Sequence, residues 1–255
     1  MVDGPHAFEQ PLNERTRGFL RLEYLFERLT YHRADTSSWG RRATLDVLLD
    51  VLSVMAYFDV NGEVSKALGQ RYAQIDDLRF RNQADPDTAN ELLAQIDDLG
   101  RRIQRVPANF AGYLLRDDEL LYNLNNRRPI AGGSCGFDIP GYQNWLALPH
   151  ERIEADLDAW CTHLAVFESA IGLLLKLLRD GTQPSTETAE NAMFIYNTPP
   201  ETQMIRVLIN DANIFPQISA GRHRATIRFM TRTGQAGRVR PLETNLDFQL
   251  ACCSQ

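Results

Sequence analysis

The apolar pattern of this chain changes period once, near Pro184, and that change restricts the fold more than any other feature. From Phe19 to Leu178 apolar residues return every three or four positions, the spacing of one face of an α-helix. Beyond Pro184 they alternate instead: Ile205, Val207 and Ile209, then Ala225, Ile227 and Phe229, then Leu246, Phe248 and Leu250. Period two places each set on one face of a strand. Helices first and strands last predict an α+β protein. The expected parts are a helical domain, a bundle with a long antiparallel helical hairpin, and a smaller β domain.

Within the first part, Phe8–Leu12 reads as a short extended segment and Asn13 caps a helix carrying Phe19, Leu22, Leu25, Phe26 and Leu29. Leu45, Leu48, Leu49, Leu52 and Met55 mark a second helix, stopped by the turn Asp59-Val60-Asn61-Gly62. Val64, Leu68, Tyr72, Ile75 and Leu78 mark a third. Asp85-Pro86, a capping residue with proline at the first helical position, opens a fourth. There Leu92, Ile96, Leu99, Ile103 and Val106 step by four and three, a coiled-coil seam that predicts pairing with the third helix. A further helical piece starts at Asn109, and a long helix runs from Ile153 to Leu178 with a kink expected at Thr162-His163. Strands are expected at 193–196, 204–209, 225–230 and 245–252.

Charge singles out one strand. The chain of 255 residues carries a formal net charge of -6, yet no acidic residue lies between Asp211 and Glu243, where Arg222, Arg224, Arg228, Arg232, Arg238 and Arg240 fall. With Ala225, Ile227 and Phe229 inward, Arg224, Thr226 and Arg228 face outward. Arg206 is likewise on the outer face of its strand, and pairing of the two strands would merge these arginines into one basic patch. Like charges that close repel unless an anionic group sits among them. A solvated outer strand, whose arginines discourage edge pairing, is the competing explanation.

Catalytic signatures are poor. Gly132-Gly133-Ser134-Cys135-Gly136 has the spelling of a nucleophile elbow, but Arg127-Arg128-Pro129-Ile130 before it is a poor buried strand, and Phe137-Asp138-Ile139-Pro140 after it does not open a helix in the required register. Cys135, Cys161, Cys252 and Cys253 have no metal-knuckle spacing and read as small buried hydrophobes. No catalytic residue, metal or cofactor is expected. The N-terminal residues have neither the basic nor the apolar part of a secretory signal, and Ile171–Leu178 is too short to span a bilayer, so a cytoplasmic protein without membrane contact is expected. Binding of nucleic acid through the basic strand 222–232 is the alternative function, opposed by the net negative charge and the lack of a recognisable nucleic-acid motif.

Several strings carry a resemblance that spans nearly the whole chain. Phe8-Glu9-Gln10-Pro11-Leu12-Asn13-Glu14, the loop Gly132–Pro140, Trp145-Leu146-Ala147-Leu148-Pro149, Pro216-Gln217-Ile218-Ser219, Ile227-Arg228-Phe229-Met230 and Leu246–Cys253 together resemble the ZapD family of bacterial cell-division proteins. The resemblance implies a non-enzymatic homodimer, with a helical domain and an antiparallel β-sandwich-like domain, that binds the C-terminal tail of FtsZ and bundles its filaments at the mid-cell division site. It further implies interleaved domains: 13–115 and 143–181 helical, with 1–12, 116–142 and 182–255 in the β domain. On the same ground Arg224 and Arg228 are the core of the partner-binding site, with Arg222, Arg206 and Arg116 at its rim. Ser134 stands where that family would be expected to have a cysteine.

Overall fold

The computed structural model describes residues 5–221, 223–233 and 237–254. Its elements run β1 (His6–Pro11), α1 (Glu14–Arg33), α2 (Ser38–Tyr57), α3 (Val60–Phe80), α4 (Pro86–Gln104), α5 (Phe110–Asp117), α6 (Glu119–Arg127), α7 (Pro140–Leu146), α8 (His150–Cys161) and α9 (Leu164–Asp180). Then follow β2 (Ser185–Ala189), β3 (Met193–Tyr196), β4 (Thr202–Ile209), β5 (Ile214–Ala220), β6 (Ala225–Thr233), β7 (Arg238–Pro241) and β8 (Leu246–Ser254). The chain is α+β and divides into two units, Gly18–Leu174 and Met1–Arg17 with Leu175–Gln255.

In the helical unit, α2 contributes Leu45, Leu48, Leu49 and Leu52 to the core, all fully buried. Asp85 accepts a hydrogen bond from the Thr88 amide (2.9 Å) and starts α4, which forms the expected hairpin with α3. The seam differs by one position. Leu93, not Leu92, is buried with Ala89, Ile96, Leu99 and Ile103. Tyr72 and Leu78 on α3 keep 40% and 42% of their surface exposed, so the α3 stripe is covered less than its spacing implies. The kink at Thr162-His163 is present as a 54° bend between α8 and α9. The Thr162 hydroxyl donates to the Asp158 carbonyl (3.0 Å), the local competition that bends helices.

The segment 116–142, expected in the β domain, differs from that expectation. It lies in the helical unit and holds α6 and the start of α7. Asp118 caps α6 through the Leu121 amide (2.9 Å), and Leu121 and Leu124, one turn apart, are both buried. A helix also opens at Pro140, six residues past Ser134 and so in the wrong register for a nucleophile elbow.

The β unit consists of two antiparallel sheets. One has the order β1-β4-β8-β2, and the other has β3-β6-β5 with β7 also paired to β6. The inward sets predicted from parity pack together. Ile205 and Val207 of β4, Ala225, Ile227 and Phe229 of β6, and Phe248 and Leu250 of β8 form one core between the sheets. β1 pairs with β4 from His6↔Ile209 to Pro11↔Met204. The β2–β3 connection is a two-residue turn in which Asn191 (φ 48°) and Ala192 (φ 58°) are both left-handed, the combination whose twist suits a hairpin. Through it the chain leaves one sheet and enters the other.

Candidate partner-binding face

Strand β6 is the spine of its sheet. β5 flanks one side along its length, while β3 and β7 share the other side end to end. Its inner residues Ala225, Ile227 and Phe229 are fully buried. This fixes the opposite face, which is ordered row by row. Arg228 lies between Met193 of β3 and Gln217 of β5, Thr226 between Ile195 and Ser219, and Met230 between Pro241 and Phe215. Arg224, just before β6, and Arg232 near its end have the same parity and are exposed. Four residues of strand separate each from Arg228, about 13 Å along the sheet.

Among the described residues, no carboxylate is within ion-pair reach of Arg224, Arg228, Arg232 or Arg240. Elsewhere most arginines are neutralised locally: Arg33 by Asp158 (2.7 Å), Arg79 by Asp76 (2.5 Å), Arg81 by Asp77 (3.1 Å) and Arg152 by Asp156 (3.4 Å). The outer face of β6 therefore concentrates uncompensated positive charge. Arg238 and Arg240 of β7 pair with Thr233 and Thr231 and so belong to the other parity. Arg222 lies outside the described residues.

The remaining two predicted residues are not on this face. β4 pairs with β1 and β8, never with β6, so the outer faces of Arg206 and Arg228 do not merge. Arg206 is instead engaged by Glu9, its register partner on β1, at 2.9 Å. Glu9 also accepts two hydrogen bonds from the Arg179 guanidinium, both 2.8 Å. No local pattern announces this triad, because its members lie 170 and 197 positions apart and only the β1–β4 register and the end of α9 join them. Arg116 belongs to the helical unit, where it bonds Asp117 (2.8 Å) and lies over the Tyr113 ring at 4.9 Å.

Burial alone would push the Glu9 carboxyl up. The bonds from Arg179 and the charges of Arg179 and Arg206 outweigh burial and hold it below its ordinary value. A lowered carboxylate pKa adds stability that is complete above about pH 4.5 and disappears as pH falls through the folded value. Glu9→Gln, which removes the carboxylate shared by two mostly buried guanidinium groups, is expected to cost about 2–4 kcal/mol at neutral pH. Urea denaturation checks this, and the gap to wild type should narrow only as pH falls below about 4.5 and through the lowered folded value.

The Cys135 thiol donates to Asp138 (3.2 Å), not to an imidazole. Burial pushes the Cys161 and Cys253 thiols up to about 11, which keeps them protonated and inert at neutral pH. Among the described residues no group of three or more His, Cys, Asp or Glu side chains gathers as a metal site, and no single helix is long and apolar enough to cross a membrane.

Comparison with known proteins agrees across the chain. The ZapD family model, described as "Cell division protein", matches residues 20–228. The cell division protein ZapD of Methylococcus capsulatus is 32% identical over 252 residues, covering 97% of each chain. That of Bordetella petrii is 31% identical over 250 residues, covering 97% of this chain and 98% of its own, and that of Photobacterium profundum is 30% identical over 249, covering 97% and 99%. None of these relatives is named as an enzyme. A match of this extent, over a chain whose β6 face and flanking strings carry the same resemblance, assigns the protein to the ZapD family of cell division proteins.

Proposed function

We propose that this protein is a non-enzymatic division factor, a homodimer that binds the C-terminal tail of FtsZ and crosslinks FtsZ filaments into the Z-ring in the cytoplasm at mid-cell. The observation that carries the reading is the outward row of Arg224 and Arg228 with no carboxylate to neutralise it among the described residues. A guanidinium fork pairs a carboxylate through two parallel hydrogen bonds, so such a row fits an acidic chain segment. Two such faces on one dimer would link two filaments. Because a filament displays many tails, weak single contacts add through effective concentration.

Co-sedimentation with GTP-assembled FtsZ, beside FtsZ lacking its C-terminal tail, tests this. Pelleting should require the tail and weaken as salt rises, since exposed charges are screened within about 8 Å at physiological ionic strength. Equal pelleting with both forms rules out the tail as the ligand. Retention of duplex DNA at physiological salt without FtsZ points instead to nucleic acid.

A further inference from the structure

The outer side of β3 is at odds with its exposure. Met193-Phe194-Ile195-Tyr196 is apolar at every position, so the strand is apolar on both faces, the composition of a strand covered on both sides. Phe194 and Tyr196 pack on the core, and Phe194 meets Phe248 at 5.3 Å. Met193 and Ile195 point outward with 42% and 45% of their surface exposed, and Val239 of β7 on the same face has 46%. They are not scattered. Met193 is the direct cross-strand partner of Arg228, and Ile195 that of Thr226. A cleft of about 590 Å³ opens there, lined by Met193, Ile195, Pro241 and Arg228, with Glu190 also on its wall but not ion-paired to Arg228, and its volume is within the range of sites that hold a ligand.

We infer that the Arg228 face is a two-part site for one extended partner segment carrying a carboxylate beside a large apolar side chain. The carboxylate pairs with Arg228, and the apolar side chain covers Met193 and Ile195. Charge complementarity selects this occupant: guanidinium groups with no carboxylate paired to them are free to take one from a partner, and the exposed apolar pair beside them is covered only by an apolar side chain. As a description of the partner the inference rests on the tail-binding reading, and it adds that charge is only half of the recognition.

Fluorescence anisotropy with short labelled peptides tests it. One peptide carries two aspartates around a leucine–phenylalanine pair, a second has serines for the apolar pair, and a third has asparagines for the aspartates. The first should bind wild-type protein at least about tenfold more tightly than either twin. The double variant Met193→Gln, Ile195→Thr keeps side-chain length at 193 and β-branching at 195, both exposed positions, and should lose only the preference over the serine peptide. Arg228→Gln should lose only the preference over the asparagine peptide. Circular dichroism and an unchanged melting temperature establish that both variants are folded. Equal binding of the first two peptides overturns the inference, as does a double variant that keeps the full preference. A double variant that dissociates the homodimer also overturns it, by making the face a contact between copies. If the peptides behave as expected and FtsZ does not pellet, the division-partner reading fails and the two-part site stands. If FtsZ pelleting survives the double variant undiminished but not Arg228→Glu, the tail reading stands and the apolar half fails.

Discussion

Arg228→Glu should abolish tail-dependent co-sedimentation with FtsZ while leaving the fold intact. The side chain is exposed, central to its face, and free of ion pairs among the described residues, so the folded protein loses no contact that stabilises it. Substitutions at such positions usually change stability by less than about 0.5 kcal/mol. Binding is a different matter. A central interface arginine typically contributes about 2 kcal/mol or more, which is at least about thirtyfold in affinity, and reversal adds repulsion of the incoming carboxylate. Bundling depends on many weak contacts made together, so it should fall more steeply than single-peptide affinity. Pelleting assays and a thermal melt on the same preparation check both halves. A variant that melts early would move Arg228 from partner binding to support of the sheet.

Phe229→Ala, one residue away, should do the reverse and disable the protein by weakening its β unit. The ring is fully buried between the sheets, 4.8 Å from the Phe248 ring. Its backbone also holds the join between β3 and β7. The amide donates to the Ala192 carbonyl and the carbonyl accepts from the Leu242 amide, both at 2.9 Å. Truncation leaves a cavity at the one place where every strand of that sheet meets β6, at an expected cost of about 3–5 kcal/mol. Urea denaturation followed by far-ultraviolet circular dichroism measures it. The contrast of Phe229→Ala with Arg228→Glu separates loss of scaffold from loss of contact on adjacent residues of one strand.

Much of this was legible in the amino-acid order. Parity in β4, β6 and β8 identified the inward residues correctly, because alternation with period two is a local geometric rule that packing between the sheets merely exploits. The switch near Pro184 set the α+β class, and the acid-free stretch after Asp211 pointed to β6. Strands β2, β5 and the short β7 went unseen. Ser185–Ala189 buries only Ala189, and Ile214–Ala220 contains Pro216, which is tolerated in β5 because that strand is an edge of its sheet. β2 carries no alternating apolar signal, whereas in β5 Ile214, Ile218 and Ala220 alternate and pack on the core, with the proline interrupting the pattern.

Which strands become neighbours was not written locally. Arg206 and Arg228 look equivalent in sequence, each outward on an apolar strand, yet one closes an ion-pair triad with Glu9 and Arg179 while the other remains unneutralised. The difference arises because β4 pairs with β1 and β8, whereas β6 pairs with β3, β5 and β7. Strand pairing is a contest among long-range partners, settled by which arrangement buries both apolar faces and satisfies the ladders at once. The sequence by itself determined which side chains face in and where charge is concentrated. Only the tertiary structure decided which arginines meet a carboxylate, and that Met193 and Ile195 lie exposed beside Arg228, because those facts depend on register between segments tens of residues apart.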